Sequence, residues 1–228
     1  MFFSFSNKPY VAIIGDMKGS KKIENRNDVQ EKLKKILGKI NVKYGQDISA
    51  KFTITLGDEF QGLLCNGKNV LNIVEEIQRK MYPVEIRFGI GVGAITTEIN
   101  PELAIGADGP SYHRARNAIE FLKKNERKNK THSFNIRIEI DEEKEPIAEM
   151  LNTIFSLSAV IKNSWTDRQR EIIWDFDYYQ DGQEKSAERL GIAQSSVQRG
   201  LIKGNYYAYK EAMETLGNVM KLIRREDV

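Results

Sequence analysis

The stretch from Val84 to Ala94 alternates without a break, and it limits the folds open to this chain more than any other segment. Val84, Ile86, Phe88, Ile90, Val92 and Ala94 fall on one face, and Glu85, Arg87, Gly89, Gly91 and Gly93 on the other. A period of two over this length is a strand. Glycine weakens a strand, so three of them on one face mark the close approach of a helix or of a ligand. Either occupant suits the pattern. Tyr10 to Ile14 is a continuous apolar run that stops at Gly15-Asp16, which suits a strand buried on both faces. Phe52, Ile54 and Leu56 alternate with Thr53 and Thr55, Gly57-Asp58 is a hairpin signal, and Phe60 to Cys65 is the returning strand. Phe134, Ile136, Ile138 and Ile140 form one more alternating strand.

Between these strands the period changes to that of a helix. Val29, Leu33, Ile36, Leu37 and Ile40 recur at helical spacing within Asn25 to Tyr44. Val70, Leu71, Val74, Ile77 and Met81 carry a second helix that closes near Pro83, and Tyr112, Ala115, Ile119 and Leu122 carry a third after Pro110. The order is β-α-β-β-α-β with an αβ extension, a ferredoxin-like split βαβ pattern in an α+β unit over residues 1–145. Residues 146–164 then read as a linking helix, and residues 165–228 as all-helical.

Composition narrows the function classes. With 228 residues, 40% hydrophobic and 29% charged, the chain can bury a real core in one or two domains. A net charge of +3 does not by itself imply a nucleic-acid or membrane partner. The lone Cys65 excludes an intramolecular disulfide and fits a reducing compartment. Phe2, Phe3 and Phe5 are too short a run for a signal peptide, and no stretch approaches the ~18 apolar residues of a membrane span. The expectation is a cytoplasmic protein with no membrane partner.

In a split βαβ sheet the first strand and the first hairpin lie side by side at the centre, which places Asp16 near Asp58. Two carboxylates brought close repel, and a divalent cation relieves that cost. Mg²⁺ (or Mn²⁺), with substrate phosphates completing its shell, is the usual chemistry of such a site. Lys18, Gly19, Ser20, Lys21 and Lys22 follow Asp16 directly and suit a nucleoside triphosphate or a related nucleotide, although the spacing is not that of a P-loop. Taken singly, Asp58 reads equally as a turn former and Asp16 as a loop cap. Arg114 and Arg116 open the third helix, where the macrodipole disfavours cations unless an anion is nearby; solvated surface arginines are the plain alternative. His113 reads as a structural or surface histidine, and His132 lies in a lysine-rich loop.

From Trp165 onward, Thr166 is a good N-cap before Ile172, Ile173 and Phe176. Glu184 to Leu190, a Gly191 break and Gln194 to Lys203 then give a helix-turn-helix outline. Ala187, Gly191 and Val197 stand where the motif needs a small packing residue, a turn and a core contact. Residues 166–184 carry two basic and six acidic side chains, and residues 185–210 five basic and one acidic, so only the second half is basic. Gln194, Ser195, Gln198 and Arg199 would face the major groove of double-stranded DNA, with Lys203 and Lys210 on phosphate. A helical bundle used for dimerisation, or for docking on the first unit, fits the same periodicity. Tyr206, Tyr207 and Tyr209 read as core and interface aromatics rather than as a base-stacking platform.

These residues carry resemblances. Leu56-Gly57-Asp58-Glu59-Phe60 with a strand-end Asp16 resembles the GGDEF diguanylate cyclases and, more distantly, the class III nucleotidyl cyclases, which share the palm fold. The stretches IIGDMKGSKKIENR, KFTITLGDEFQGLL, IRFGIGVGAITTEI and GADGPSYHRARNAIE look more closely like the SatD family of bacterial proteins, over almost the whole chain. EKSAERLGIAQSSVQRGL resembles the helix-turn-helix of sigma-factor region 4 and of many repressors, with Ala193 standing where a capping Ser or Asp is usual. The cyclase resemblance implies a nucleotidyl cyclase-like palm. In it Asp16 and Asp58 match the metal-binding carboxylates, Glu59 the acidic residue after the second, and Arg116 an arginine on the phosphates. Leu56 replaces the first glycine of GGDEF, and Tyr112 stands where class III cyclases have an asparagine.

The expectation is a DNA-binding regulator with a Mg-dependent nucleotide-binding palm. One rival is an active nucleotidyl cyclase or nucleotidyltransferase in which Asp16, Asp58, Glu59 and Arg116 are catalytic. Another is a non-catalytic interaction protein with a structural palm. A homodimer is suggested only by the habit of helix-turn-helix proteins.

Overall fold

The computed structural model describes residues 9–20, 24–55, 57–129, 135–141 and 145–224. Phe2, Phe3, Phe5, Lys21, Lys22, Leu56, His132 and Phe134 lie outside them. Five strands form one sheet: β1 (Tyr10–Met17), β2 (Ile48–Ile54), β3 (Glu59–Leu64), β4 (Ile86–Gly93) and β5 (Ile136–Glu139). Their order is β2-β3-β1-β4-β5. β1 pairs antiparallel with β3 and β4, β2 antiparallel with β3, and β5 parallel with β4. This is the split βαβ arrangement, extended by one parallel strand at the β4 edge.

The two faces of the sheet carry different helices. On one face α1 (Arg26–Lys43) and α2 (Val70–Met81) bury Leu33, Ile36, Leu37 and Ile40, and Val70, Ile73, Val74 and Ile77, against Val11, Ile13, Phe60 and Phe88. On the other face α3 (Pro110–Asn129) covers Ala12, Ile14 and Leu63 with Tyr112, Ala115 and Ile119. The glycine face of β4 is occupied by that helix. A Cβ on Gly91 would lie 1.9 Å from the Ser111 carbonyl oxygen, and one on Gly89 2.2 Å from that of Ala115.

The remaining helices are α4 (Glu145–Asn163), α5 (Asp167–Tyr179), α6 (Gln183–Leu190), α7 (Gln194–Lys203) and α8 (Tyr206–Met220). α4 packs on β5 and α8, and α8 reaches α2. The apolar core of the α1/α2 face runs without interruption through Leu151, Phe155, Trp165, Ile172, Leu201 and Leu216. Gly67 N–H donates to Ile223 O at 2.8 Å, so the segment just after α8 is tied back to the loop before α2.

Both outer strands have an asparagine laid along part of the exposed edge. Asn41 of α1 donates to Phe52 O at 3.0 Å and accepts from Phe52 N–H at 2.7 Å. Asn152 of α4 does the same for Ile138, at 2.9 and 2.8 Å. A side-chain amide offers one donor and one acceptor, so it satisfies both backbone groups of one residue and blocks that stretch of edge from pairing with another chain.

α1 and α2 are joined through Glu76, a buried carboxylate that accepts from Lys43 at 2.7 Å, Tyr44 at 3.0 Å and also from Lys80. Burial pushes its carboxyl up, but those three donors outweigh it and hold the pKa at about 2, against an ordinary 4.5. A carboxyl depressed in the folded state stabilises the fold above its unfolded pKa. That contribution fades as pH falls from 4.5 through about 2. Glu76→Gln is expected to cost about 1–2 kcal/mol at neutral pH and to flatten the acid loss of stability, as read by urea melts across that range.

Candidate functional site

β1 ends beside the β2–β3 hairpin, as the topology demands. Met17 N–H donates to Asp58 O at 3.1 Å, which fixes the two strand ends to one another. Gly57 turns the hairpin with φ +65°. Gly19, at φ +62°, folds the loop after β1 back so that the buried Ser20 hydroxyl donates to the Asp58 carboxylate. Asp16, Ser20, Asp58 and Glu59 are thus brought to one end of the sheet.

Strand register then sets a charged row. Asp16 lies opposite Glu59 of β3 on one side and Arg87 of β4 on the other. All three project from the face that α3 covers. Like charges directly opposite in a sheet repel, and the helix answers them. Arg116 Nη1 donates to both oxygens of Glu59 at 2.7 and 2.8 Å. Lys123 Nζ stands 2.8 Å from Asp16 Oδ1. Arg87 Nη1 donates to Asp16 Oδ2 at 2.6 Å, and its Nε and Nη2 donate to Glu126 at 2.8 and 2.6 Å. Two acids and one base from the sheet meet two bases and one acid from the helix. Asp16 and Glu59 are both buried, at 6% and 9% exposure, so leaving either unpaired would be costly.

Other expected members stand elsewhere. Lys18 is held at the start of β4: its N–H donates to Glu85 O at 2.8 Å and its Nζ lies 3.2 Å from the Glu85 carboxylate. Arg114 does not join the carboxylates. It donates to Val92 O at 2.6 Å and to Asp141, at the far end of β4. The reason is helical rotation: two residues apart means about 200° around α3, so Arg114 and Arg116 face different strands. His113 is exposed, 3.3 Å from Asp108. Arg87, Lys123 and Glu126 carried no expected role. The signal available was Arg87 on the glycine face, together with Arg116 and Lys123 spaced seven apart on one side of α3.

A hard divalent cation would suit three carboxylates by donor chemistry. As arranged, however, each already has a partner from the protein. Among the described residues no three acidic, histidine or cysteine side chains converge so as to hold a metal ion. An ion placed there would have to displace Arg87, Lys123, Arg116 or Ser20 from these carboxylates.

The second set of expected residues lies on α7. Thr166 caps α5 with its hydroxyl accepting from Gln169 N–H at 3.2 Å, and Gln169 returns the bond to Thr166 N–H at 2.9 Å. Gly191 ends α6 at φ +62°, and Ala187 and Val197 are buried between α5, α6 and α7. Gln194, Ser195, Gln198, Arg199 and Lys203 are all exposed. Ala193 adopts the extended N-cap backbone but offers no side-chain cap. Much of the acidic first half of this region is neutralised by ion pairs. Arg189 bonds Asp175 and Asp181, and Lys210 lies 2.7 Å from Asp177. Lys210 is therefore engaged within the helical part. Tyr206 and Tyr209 are buried, donating to Asp177 at 3.0 Å and to Glu75 at 2.6 Å, while Tyr207 is exposed.

A family model, that of the SatD family, matches residues 10–216. The chain belongs to the SatD family. No curated protein matches it. Among solved structures, this SatD-family chain is similar to a bacterial light-regulated adenylyl cyclase, at 12% identity over 57% of this chain and 74% of that one, with a TM-score of 0.42. It is also similar to the guanylate cyclase domain of RhGC from Catenaria anguillulae, solved with GTP, at 14% identity over 48% and 70%, with a TM-score of 0.37. A regulator of polyketide synthase expression from Bifidobacterium adolescentis aligns over 93% of this chain and 86% of its own, at 13% identity and a TM-score of 0.31. No helix among the described residues is long and apolar enough to cross a membrane.

Proposed function

We propose that this SatD-family protein is a cytoplasmic DNA-binding regulator, with a palm (residues 1–145), a linking helix (146–164) and a helix-turn-helix part (165–228). The observation that carries the reading is the face of α7. Gln194, Ser195, Gln198, Arg199 and Lys203 are exposed together on the second helix of the motif. Among the described residues Arg199 and Lys203 form no ion pair, whereas Arg189 and Lys210 are consumed by Asp175, Asp181 and Asp177. Of the five basic side chains of residues 185–210, two of the three left without an ion pair among the described residues, Arg199 and Lys203, lie on the helix that would enter the major groove, and the third, Lys185, lies on the helix before it. Glutamine and arginine are the side chains that read adenine and guanine edges.

The palm is assigned a nucleotide, with Mg²⁺ or Mn²⁺, at the end of the sheet where Asp16, Asp58 and Glu59 meet Ser20 and Arg116. Lys18 and Gly19 shape the adjoining loop. The support is the charge balance already described. A cation taken up by the carboxylates would release Lys123 and Arg116, and those two would then be available to phosphate. Because each of these carboxylates is partnered and no three converge among the described residues, this end of the sheet is given a binding role and no chemical step. A cyclase or transferase would need the same three groups to gather around metal.

The test is a salt series of anisotropy titrations on a duplex carrying the promoter of the chain's own gene. Binding is expected to weaken steeply with salt. Arg199→Ala is expected to cost about 1–3 kcal/mol on the preferred sequence and to leave binding to random duplex less affected. A flat titration at low salt, or an Arg199→Ala variant that binds as the wild type does, would remove the reading.

A further inference from the structure

A cavity of about 110 Å³ lies where α2, the start of β4, α4 and α5 meet. Its walls include Tyr82, Phe155, Ser158, Lys162, Arg170 and Trp174, so both the palm and the helix-turn-helix part contribute to it. The volume is of the order of the engineered apolar cavity that admits benzene, but this one is not apolar throughout. The Ser158 hydroxyl is buried, at 4% exposure, and has no hydrogen-bond partner among the described residues. Among them the Arg170 Nε is buried and unpartnered as well, while its Nη2 donates to Lys162 O at 3.1 Å. Lys162 Nζ reaches only a neutral acceptor, Gln78 Oε1, at 2.7 Å.

Two cations therefore face one small space, and among the described residues neither has a carboxylate within ion-pair distance. Burial without a counter-charge is unfavourable for an ammonium, and it holds the Lys162 pKa below its ordinary value despite the pull of Glu75. The acids nearest the cavity are engaged: Glu75 accepts from Tyr209, and Glu85 pairs with Lys18. The remaining walls are rings. Tyr82 and Trp174 meet edge to face at 5.3 Å, and the Arg170 guanidinium lies 4.9 and 5.3 Å from their centroids.

We propose that this cavity binds a small aromatic carboxylate, with the anion on Lys162, Arg170 and Ser158 and the ring against Tyr82, Phe155 and Trp174. The occupant supplies the missing counter-charge and the missing acceptor in one group. Val84, Glu85 and Ile86 form a wall of the same cavity. Glu85 holds Lys18 in the loop after Asp16, and Asp167, at the start of α5, accepts from Tyr82 at 2.7 Å. A ligand here touches the segments that set the Asp16 end of the sheet and the seating of the helix-turn-helix part. The site is thus that of an effector, and it stands independently of what α7 reads.

Of the two tryptophans of the chain, Trp174 lines the cavity and Trp165 lies behind Arg170, 5.7 Å from its guanidinium, so intrinsic fluorescence of the full-length protein reports on the cavity. Titration with benzoate and with indole-3-carboxylate is expected to give saturable changes. Benzamide, the uncharged isostere of benzoate, is expected to bind at least about tenfold more weakly. Lys162→Met should bring benzoate down to the level of benzamide. Ser158→Leu, which fills the cavity, should abolish both responses, and it decides the matter if Lys162→Met does not fold. Equal binding of benzoate and benzamide, no saturation with either carboxylate, or undiminished benzoate binding by the variants would overturn the proposal.

Discussion

Gly91→Ala is expected to destabilise the protein by about 3 kcal/mol or more, a large effect for one methyl group. The added Cβ would sit 1.9 Å from the Ser111 carbonyl oxygen and 2.4 Å from the Ala115 nitrogen. Both are backbone atoms of α3, so no side-chain rotation relieves the contact. The helix itself must lift from β4. Lifting it also pulls Arg116, Lys123 and Glu126 away from Glu59, Asp16 and Arg87, so the packing loss and the ionic loss come together. Gly38→Ala is the matched control. Gly38 lies within α1 on the exposed surface, and a Cβ there meets nothing within 4 Å. That change should stabilise the protein by about 0.5–1 kcal/mol through helix propensity and a stiffer unfolded chain. Urea denaturation of the three proteins reads both effects. Equal stability of Gly91→Ala and the wild type would mean that α3 does not rest on the glycine face.

That glycine face also shows what sequence can and cannot settle here. Periodicity assigns β4 and its bare side, and it allows a helix or a ligand as the occupant; only the tertiary arrangement decides for α3. Asp16 and Asp58 were legible as neighbours because split βαβ topology puts the ends of β1 and the β2–β3 hairpin together whatever the side chains are. The helix-turn-helix part was legible for a similar reason: small residues, a turn glycine and an N-cap recur at fixed offsets, and Thr166, Ala187, Gly191 and Val197 occupy them. The partners of the carboxylates were not legible. Arg87 and Lys123 meet Asp16 through a strand register and a helix crossing, neither of which leaves a local spacing. Arg114 and Arg116 look equivalent in one dimension and separate only when α3 is laid along β4. The paired asparagines that cover the sheet edges, Asn41 and Asn152, are likewise visible only once the edges are known.

The ionic row offers the second large effect. Arg87→Met should cost about 2–4 kcal/mol, somewhat less than the full penalty for breaking a buried pair because Lys123 still stands 2.8 Å from Asp16. Methionine keeps much of the apolar stem, so the loss is chiefly electrostatic. Asp16→Asn added to Arg87→Met should recover part of that loss, since an amide no longer needs the guanidinium; the cycle measures the coupling between the two. The same pair of variants bears on the nucleotide reading. A carboxylate that loses Arg87 is freer to take a divalent ion. Millimolar MgCl₂ is therefore expected to raise the melting temperature of Arg87→Met, more so with GTP or ATP present, by the mass-action gain of binding the folded state alone. The double variant, lacking the Asp16 charge, should not respond. If Mg²⁺ and nucleotide leave both variants unmoved, Asp16 is a structural carboxylate whose partners are Arg87 and Lys123, and the palm would then serve to position the helix-turn-helix part rather than to bind a nucleotide.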